Sequence, residues 1–198
     1  MLRVRWIGRV AYREVLALQT ALFEHGREQH LLLLEHPHVF TYGPRAELEK
    51  NLKCDPAEVG ADFVSVKRGG DITYHGPGQL VGYPILNIEN AIGATAHVCG
   101  VEQLVIDTLH ELGIKNAGRL TGFAGVWLDA DNDRRRKISA IGVRLAHGRT
   151  MHGFALNVDP DMTYMRQHIV PCGVAEYPVT SLKEEGIDVS MQEVVKIV

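Results

Sequence analysis

Long apolar runs are missing from this chain. Nowhere among its 198 residues does an uncharged hydrophobic stretch approach the roughly 20 residues needed to cross a bilayer. The opening MLRVRWIGRVAYREV lacks the apolar segment and small-residue cleavage site of a secretory signal. No membrane role and a soluble, cytoplasmic chain are expected. An excess of positive charge is also missing, since 21 Lys and Arg stand against 24 Asp and Glu. That balance speaks against a nucleic-acid binder, which needs clustered phosphate-neutralising cations, and the one dense basic run is Arg134 to Lys137. Cysteine is scarce: Cys54, Cys99 and Cys172 are too few and too irregularly spaced for a disulfide framework or a Cys-rich zinc site. Ten histidines are present, yet no HExxH occurs and the closest spacing, His36-x-His38, flanks a proline. No metal and no cofactor are expected. Internal repeats and Pro/Ser linkers are absent too, which predicts a single domain over 1–198.

What is present is a chain of alternating patterns, 45% of it hydrophobic and long enough for one buried core. LRVRWIG reads as an opening strand. VAYREVLALQTALFEHG, with Val15, Leu16, Leu18, Leu22 and Phe23 apolar and Gly26 as terminator, reads as an amphipathic helix. LLLLE (31–35) is a buried strand by its unbroken apolar run. DFVSVK (62–67) and LVGYPILNI (80–88) are strands, and the stretch between them, RGGDITYHGPGQL, becomes a strand-to-strand loop. The second helix is TAHVCGVEQLVIDTLHELG (95–113), with Val101, Leu104, Val105, Leu109 and Leu112 on one face and Gly113 as its stop. GFAGVWLD, the polar hairpin ADNDRRR, KISAIGVRLA, the turn HGR and MHGFALNV follow as antiparallel strands joined by tight turns. A short helical segment near DPDMTYMRQH leads into the loop IVPCGV, and SMQEVVKIV begins a helix with Ser190 as cap. Helices over a mixed, mainly antiparallel sheet give the fold class α+β rather than a doubly wound fold.

The glycine-rich loop cannot be a phosphate cradle of the usual kind, because such loops open a helix and this one lies between strands. Its combination of Arg68, Asp71, Thr73, His75 and Gln79 among glycines suits either a ligand wall, which backbone can approach closely, or a well-ordered turn. Cys172, between Pro171 and Gly173, is the thiol placed in a loop, and it reads equally as a nucleophile or a structural residue. A nucleophilic cysteine needs a neighbour that favours thiolate, because an unperturbed thiol at about pKa 8.5 is scarcely ionised at neutrality. Cys99, inside the helical pattern, reads as a packing or inert residue, and Cys54 sits beside Asp55, whose charge opposes ionisation. Lys137 starts the alternation KISAIGV and reads either as a partly desolvated lysine that can take and return a proton or as a solvated hairpin charge.

RGGDITYHGPGQLVGYP resembles the signature of the lipoyl(octanoyl) transferases at Arg68, Gly69, Gly70, Thr73, Tyr74, His75, Gly78, Gln79 and Tyr83. EHPHVFTYG (35–43), GVW (125–127), KISAIGVR (137–144), HGFALNV (152–158) and PCG (171–173) are similar to further blocks of that family in the same order. The resemblance implies a fold similar to the catalytic domain of biotin protein ligases and lipoate ligases. It also implies an octanoyltransferase that moves an octanoyl or lipoyl group from acyl carrier protein to a specific lysine of lipoyl domains, as the first step of protein lipoylation. Those acceptors are the lipoyl domains of 2-oxoacid dehydrogenases and the glycine-cleavage H protein, and the chain is expected to act as a monomer. Cys172 matches the acyl-thioester cysteine and Lys137 the lysine that tunes it. The substrate-binding positions match Arg68, Gly69, Gly70, Asp71, Ile72, Thr73, Tyr74 and His75, then Ala140, Ile141 and Gly142, then His152, Gly153 and Phe154. Ile72, Ile141 and Phe154 would line the acyl channel, and oxyanion donors would come from backbone N–H groups of the Gly142 or Cys172 loops. Two other readings stand beside it. One is an ATP-dependent lipoate or biotin-type ligase, in which Cys172 has no role. The other is a non-catalytic module that binds acyl carrier or lipoyl domains.

Overall fold

The computed structural model describes residues 1–88, 93–173 and 177–198, the side chain of Cys172 excepted. Its strands are β1 (Leu2–Arg9), β2 (Gln29–Glu35), β3 (Val39–Tyr42), β4 (Asp62–Ser65), β5 (Thr73–His75), β6 (Gln79–Ile85), β7 (Ala117–Leu120), β8 (Phe123–Leu128), β9 (Arg136–Ala146) and β10 (Arg149–Asn157). The helices are α1 (Tyr12–His25), α2 (Leu48–Asn51), α3 (Ala94–Glu111), α4 (Thr163–Arg166) and α5 (Met191–Ile197). Seven strands form one sheet in the order β1-β2-β6-β10-β9-β8-β7, and β4-β3-β5 form a second. Only β1 with β2 and β3 with β4 pair in parallel among the described strands. The α+β class with a mixed, mainly antiparallel sheet is the observed architecture.

Burial on both faces explains the unbroken LLLLE run. Leu31 and Leu33 face the core beneath α3 and α5, with Val105, Leu109 and Val194, whereas Leu32 and Leu34 face α1 through Val15 and Val81. Helix α1 buries Tyr12, Val15, Gln19 and Phe23, one stripe at helical spacing, and leaves Leu18 exposed. Helix α3 buries Val101, Val105 and Leu109 as the periodicity requires. Cys99, expected to pack or lie inert in that helix, faces solvent, because it falls outside the stripe. Ser190 caps α5 in a reciprocal capping box with Glu193.

Of the small sheet, the alternation showed only β4, within DFVSVK. VFTY is a strand of four residues, and the supposed loop 68–80 contains β5, antiparallel to β3. Strands this short carry too few side chains to display a period. Behind them Phe40, Ile72, Tyr74, Met162 and Ile169 form a separate core.

Where the two sheets meet, the packing is polar. His36 donates from Nδ1 to the Val10 carbonyl (2.7 Å) and accepts the Tyr83 hydroxyl at Nε2 (2.8 Å). His75 donates from Nδ1 to Gln79 Oε1 (2.8 Å), and its ring stacks on Tyr12 at 5.9 Å. Gln79 Nε2 donates to Asn157 Oδ1 (2.9 Å), and Asn157 Nδ2 donates to the Thr180 carbonyl (2.9 Å). Burial holds His36 down at about 4 and His75 at about 3, the latter helped by the His36 and Arg68 charges.

Two outcomes are expected. Both imidazoles are neutral in the folded chain and titrate near 6.5 once unfolded, so the unfolded chain binds more protons below that pH. Stability is complete above about pH 6.5 and falls as the pH drops toward about 4, each imidazole contributing about 1.4 kcal/mol per pH unit. Denaturant melts from neutrality to about pH 5 should lose stability steadily, and an unchanged midpoint would contradict the buried neutral pair. Gly153→Ala should cost about 1–3 kcal/mol, seen as a fall of several degrees in Tm. A Cβ there would lie 2.1 Å from the Gly82 carbonyl oxygen and 2.6 Å from Pro84 Cδ, neither of which can swing aside.

Candidate functional site

The RGG loop is laid against the large sheet by its glycines. Gly69 N–H donates to the Val143 carbonyl of β9 (3.0 Å), and a Cβ on Gly142 would stand 2.9 Å from the Gly69 carbonyl oxygen. A Cβ on Gly43 would meet the Gly70 and Arg68 carbonyl oxygens at 2.5 and 2.8 Å. The loop is thus clamped between the two sheets at backbone contact distance. Arg68, 8% exposed, holds it there by donating to the Thr41 carbonyl and hydroxyl (2.7 and 2.9 Å) and to the Gly69 and Asp71 carbonyls (both 2.9 Å).

Between loop and sheet lies a cavity whose empty space, open mouth included, is about 430 Å³. The loop contributes Arg68 and Gly70, and β5 contributes Thr73 and His75. Ala140, Ile141 and Gly142 of β9 and His152, Gly153 and Phe154 of β10 complete the expected lining. Four of the expected positions are not on the wall. Gly69 is spent on its bond to β9, and Asp71 turns to Asn51 Nδ2 (2.9 Å). Ile72 and Tyr74 are fully buried in the core behind the small sheet, because β5 alternates and sends Thr73 and His75 to the cavity instead. Ile72 is therefore not on this wall, whereas Ile141 and Phe154 are. Tyr12, Tyr83 and Ala155 also line it. Tyr83 stands in the matched signature and Ala155 in the matched block HGFALNV, but nothing in the sequence marked Tyr12, which comes from the start of α1.

His152 sits in the left-handed region at φ 59°, and its N–H donates to Gln19 Oε1 (2.9 Å). Burial, then Arg68 and Arg144, push its imidazole down to about 3. With His75 equally depressed, the cavity wall carries neutral rings at any ordinary pH.

Lys137 lies beyond the cavity on β9, 6% exposed. Its Nζ donates to the Ala124 carbonyl (3.1 Å) and sits 4.7 Å from the centre of the Trp127 ring. Gly125, at φ 131°, leaves room for the lysine stem, since a Cβ there would lie 3.3 Å from Lys137 Cε and 2.5 Å from the Ser139 carbonyl oxygen. Glu102 of α3 fixes that glycine by accepting its N–H (3.1 Å). Gly125 and Trp127 are two of the three residues of GVW, a block matched without an assigned role. No carboxylate lies within 4 Å of the Lys137 amine among the described residues.

Cys172 lies in the 3₁₀ turn Pro171–Gly173, and its side chain falls outside the described residues. The turn's surroundings are described. Gly173, at φ 69°, approaches Asp71 Oδ2 and Asn51 Nδ2 so closely that a Cβ would meet them at 3.2 and 3.3 Å. Val170 N–H donates to the Asn51 carbonyl (2.8 Å). After the turn the chain runs parallel to the start of β9, where Lys137 N–H donates to the Pro178 carbonyl and Thr180 N–H to the Lys137 carbonyl (both 2.9 Å). Asn51, unmarked in the sequence, joins the loop to the cysteine turn. The other thiols are elsewhere, and that of Cys54 is pushed up by burial first and by Asp55 and Glu58 next. Among the described residues no group of three or more His, Cys, Asp or Glu could hold a metal ion.

Known proteins resemble this chain at both levels. The sequence profile of the lipoyl protein ligase A/B catalytic domain matches residues 11–198. An octanoyltransferase of Solibacter usitatus is 46% identical over 198 residues, covering 96% of this chain and 86% of that protein. Octanoyltransferases of Salinispora tropica and Bacteroides fragilis are 46% and 44% identical, covering 95% and 93% of the chain and 86% and 89% of their own lengths. Among solved structures, a lipoate protein ligase of T. acidophilum with bound lipoic acid superposes with a TM-score of 0.81 at 18% identity, covering 98% of this chain and 81% of that one. The biotin protein ligase of Aquifex aeolicus in complex with biotin and ATP gives 0.57 at 15%, covering 98% and 66%. At such identities the structures show a shared fold, whereas the sequence relatives show the lineage: the chain belongs to the lipoyl protein ligase A/B catalytic-domain family, on its octanoyltransferase branch.

Proposed function

We propose that this octanoyltransferase works in two transfers, through a thioester on Cys172, with Lys137 moving the protons. The observation that carries the reading is the Lys137 amine, buried without a carboxylate partner among the described residues, held by one carbonyl and one indole face. With no carboxylate to pair with, such an amine is available to exchange a proton with a neighbouring thiol or amine. It stands where the segment after the Cys172 turn pairs with β9, three residues along that strand from Ala140 on the cavity wall.

In the first transfer Lys137 accepts the Cys172 proton, and the thiolate attacks the carbonyl of an octanoyl thioester on acyl carrier protein. The tetrahedral intermediate collapses by breaking the bond to the carrier sulfur, which takes the proton back from the Lys137 ammonium. One thioester replaces another, so the step is close to isoergic and needs no nucleotide. In the second transfer the amine of an acceptor lysine attacks the Cys172 thioester, Lys137 takes the proton from that nitrogen and returns it to the departing thiolate, and a stable amide remains. The octanoyl tail lies in the cavity, where each methylene withdrawn from water contributes about 0.8 kcal/mol. Neutral His75 and His152 suit that tail, since a charged ring beside it would be desolvated at high cost.

The acceptor is a lipoyl domain, such as those of 2-oxoacid dehydrogenases or the glycine-cleavage H protein. In support, a bipartite lipoate protein ligase of Thermoplasma acidophilum with this fold, TM-score 0.77, has been studied with its E2 lipoyl domain. The chain acts as a monomer in the cytoplasm. Among the described residues no helix is long and apolar enough to cross a membrane.

Octanoyl carrier protein, a lipoyl domain and this chain, mixed without ATP, should give acceptor heavier by one octanoyl group in intact-mass spectra. A matching adduct on the enzyme should vanish in Cys172→Ser. Transfer of free octanoate only when ATP is added would instead identify a ligase. Lys137→Arg should keep its circular dichroism but lose transfer by about 10²–10⁴-fold, because guanidinium cannot surrender a proton near neutrality. Undiminished rates in that variant would remove Lys137 from the proton path.

A further inference from the structure

The acyl cavity has a far end, and its closing residue is identifiable. Along β9 the wall runs from Ala140 through Ile141 to Gly142, away from Lys137, and β10 pairs with it in the opposite sense. Ala155 therefore stands opposite Ala140, Gly153 opposite Gly142, and His152 opposite Val143. At about 3.3 Å per residue the wall recedes steadily from the reacting end, and His152 is the last residue of β10 on it. The same imidazole lines a second space. This is a solvent-open cleft of about 990 Å³, open solvent included, walled by Leu16 and Thr20 of α1 and by Val66, Lys67, Arg144 and Met151.

Two further features mark the junction. Gln19, with no exposed surface, turns Oε1 to the His152 N–H, which leaves its Nε2 without a hydrogen-bond partner among the described residues. The Nδ1 of His152, itself 2% exposed, also has none. An alkyl end reaching this point meets a ring and then buried polar atoms that it cannot satisfy, so further methylenes are opposed by shape and by desolvation together. The backbone at His152 is held at φ 59°, a conformation uncommon for any residue with a side chain.

We propose that His152 is the stop of the acyl cavity and sets acyl-chain length, and that removing its ring joins the cavity to the cleft along α1, which then takes the added methylenes. The proposal rests on the acyl-transfer reading above. His152→Gly suits the test, because the left-handed backbone favours glycine and the bond from residue 152 N–H to Gln19 needs no side chain.

The measurement is kcat/KM for carrier-bound acyl chains of eight, ten and twelve carbons with a lipoyl-domain acceptor. The unaltered protein should fall at least about tenfold from eight carbons to twelve, since one misfitting methylene already discriminates by about 10-fold or more. In His152→Gly the twelve-to-eight ratio should rise at least about tenfold. Octanoyl transfer with an unchanged ratio would overturn the stop and leave the transfer reading intact. No octanoyl transfer by the unaltered protein would overturn both. Should His152→Gly fail to fold by circular dichroism, His152→Ala is measured in its place. Should neither fold, the chain series on the unaltered protein decides, and equal rates from eight to twelve carbons would overturn the proposal.

Discussion

The Arg68 guanidinium, buried where the two sheets meet, donates to the Thr41 carbonyl and hydroxyl on the small sheet and to the Gly69 and Asp71 carbonyls of its own loop. A buried cation is tolerable only when its donors are met, and the planar fork of five N–H groups can reach several oxygens at once. Meeting them folds the RGG loop over its own arginine and fixes the small sheet against the large one. The cavity wall follows from that placement, because Gly70, Thr73 and His75 are carried to it by the same turn of chain. So does the electrostatics of the wall: the Arg68 charge adds to burial in keeping His75 and His152 neutral.

Close backbone approach is the second constraint. Gly43, Gly69, Gly142 and Gly153 lie where a Cβ would touch a carbonyl of the facing segment or where the loop bonds to the sheet. The room they leave lets a loop, three strands of the large sheet and one of the small sheet share one cavity. On the far side of β9, Gly125 does the same for a side chain, opening a slot in which the Lys137 stem passes under Trp127. The cavity and the lysine site are thus two products of one device on neighbouring stretches of one strand, and the Cys172 turn is tied to both through Asn51, Asp71 and the segment 178–180.

Much of this was legible in the residues. Helices α1 and α3 announce themselves by periodicity, β2 by an unbroken apolar run that only a strand buried on both faces would carry, and α5 by Ser190. Two strands of the small sheet were not legible, because β3 and β5 are four and three residues long and no period can be read from so few, whereas β4 shows in the alternation of DFVSVK. The motif positions were visible as a block, yet the block mixes two facings. Thr73 and His75 belong to the cavity, Ile72 and Tyr74 to the core behind it, and a sequence pattern cannot say which parity faces the ligand until the strand's partner is known. Tyr12, Gln19 and Asn51 carry no local signal, since each acts across a long sequence separation on a residue it meets only in the fold.

The sequence by itself determined the class of fold, the lineage and the residue types available for chemistry, because these rest on local patterns and on ordered blocks that survive without coordinates. Tertiary structure alone decided which of those residues share a cavity, how the Lys137 amine is held, and where the cavity ends. Those outcomes depend on sheet pairing and on contacts between segments as far apart as Gln19 and His152. Burial, charge and close approach are properties of such juxtapositions, and no stretch of chain possesses them before it is folded.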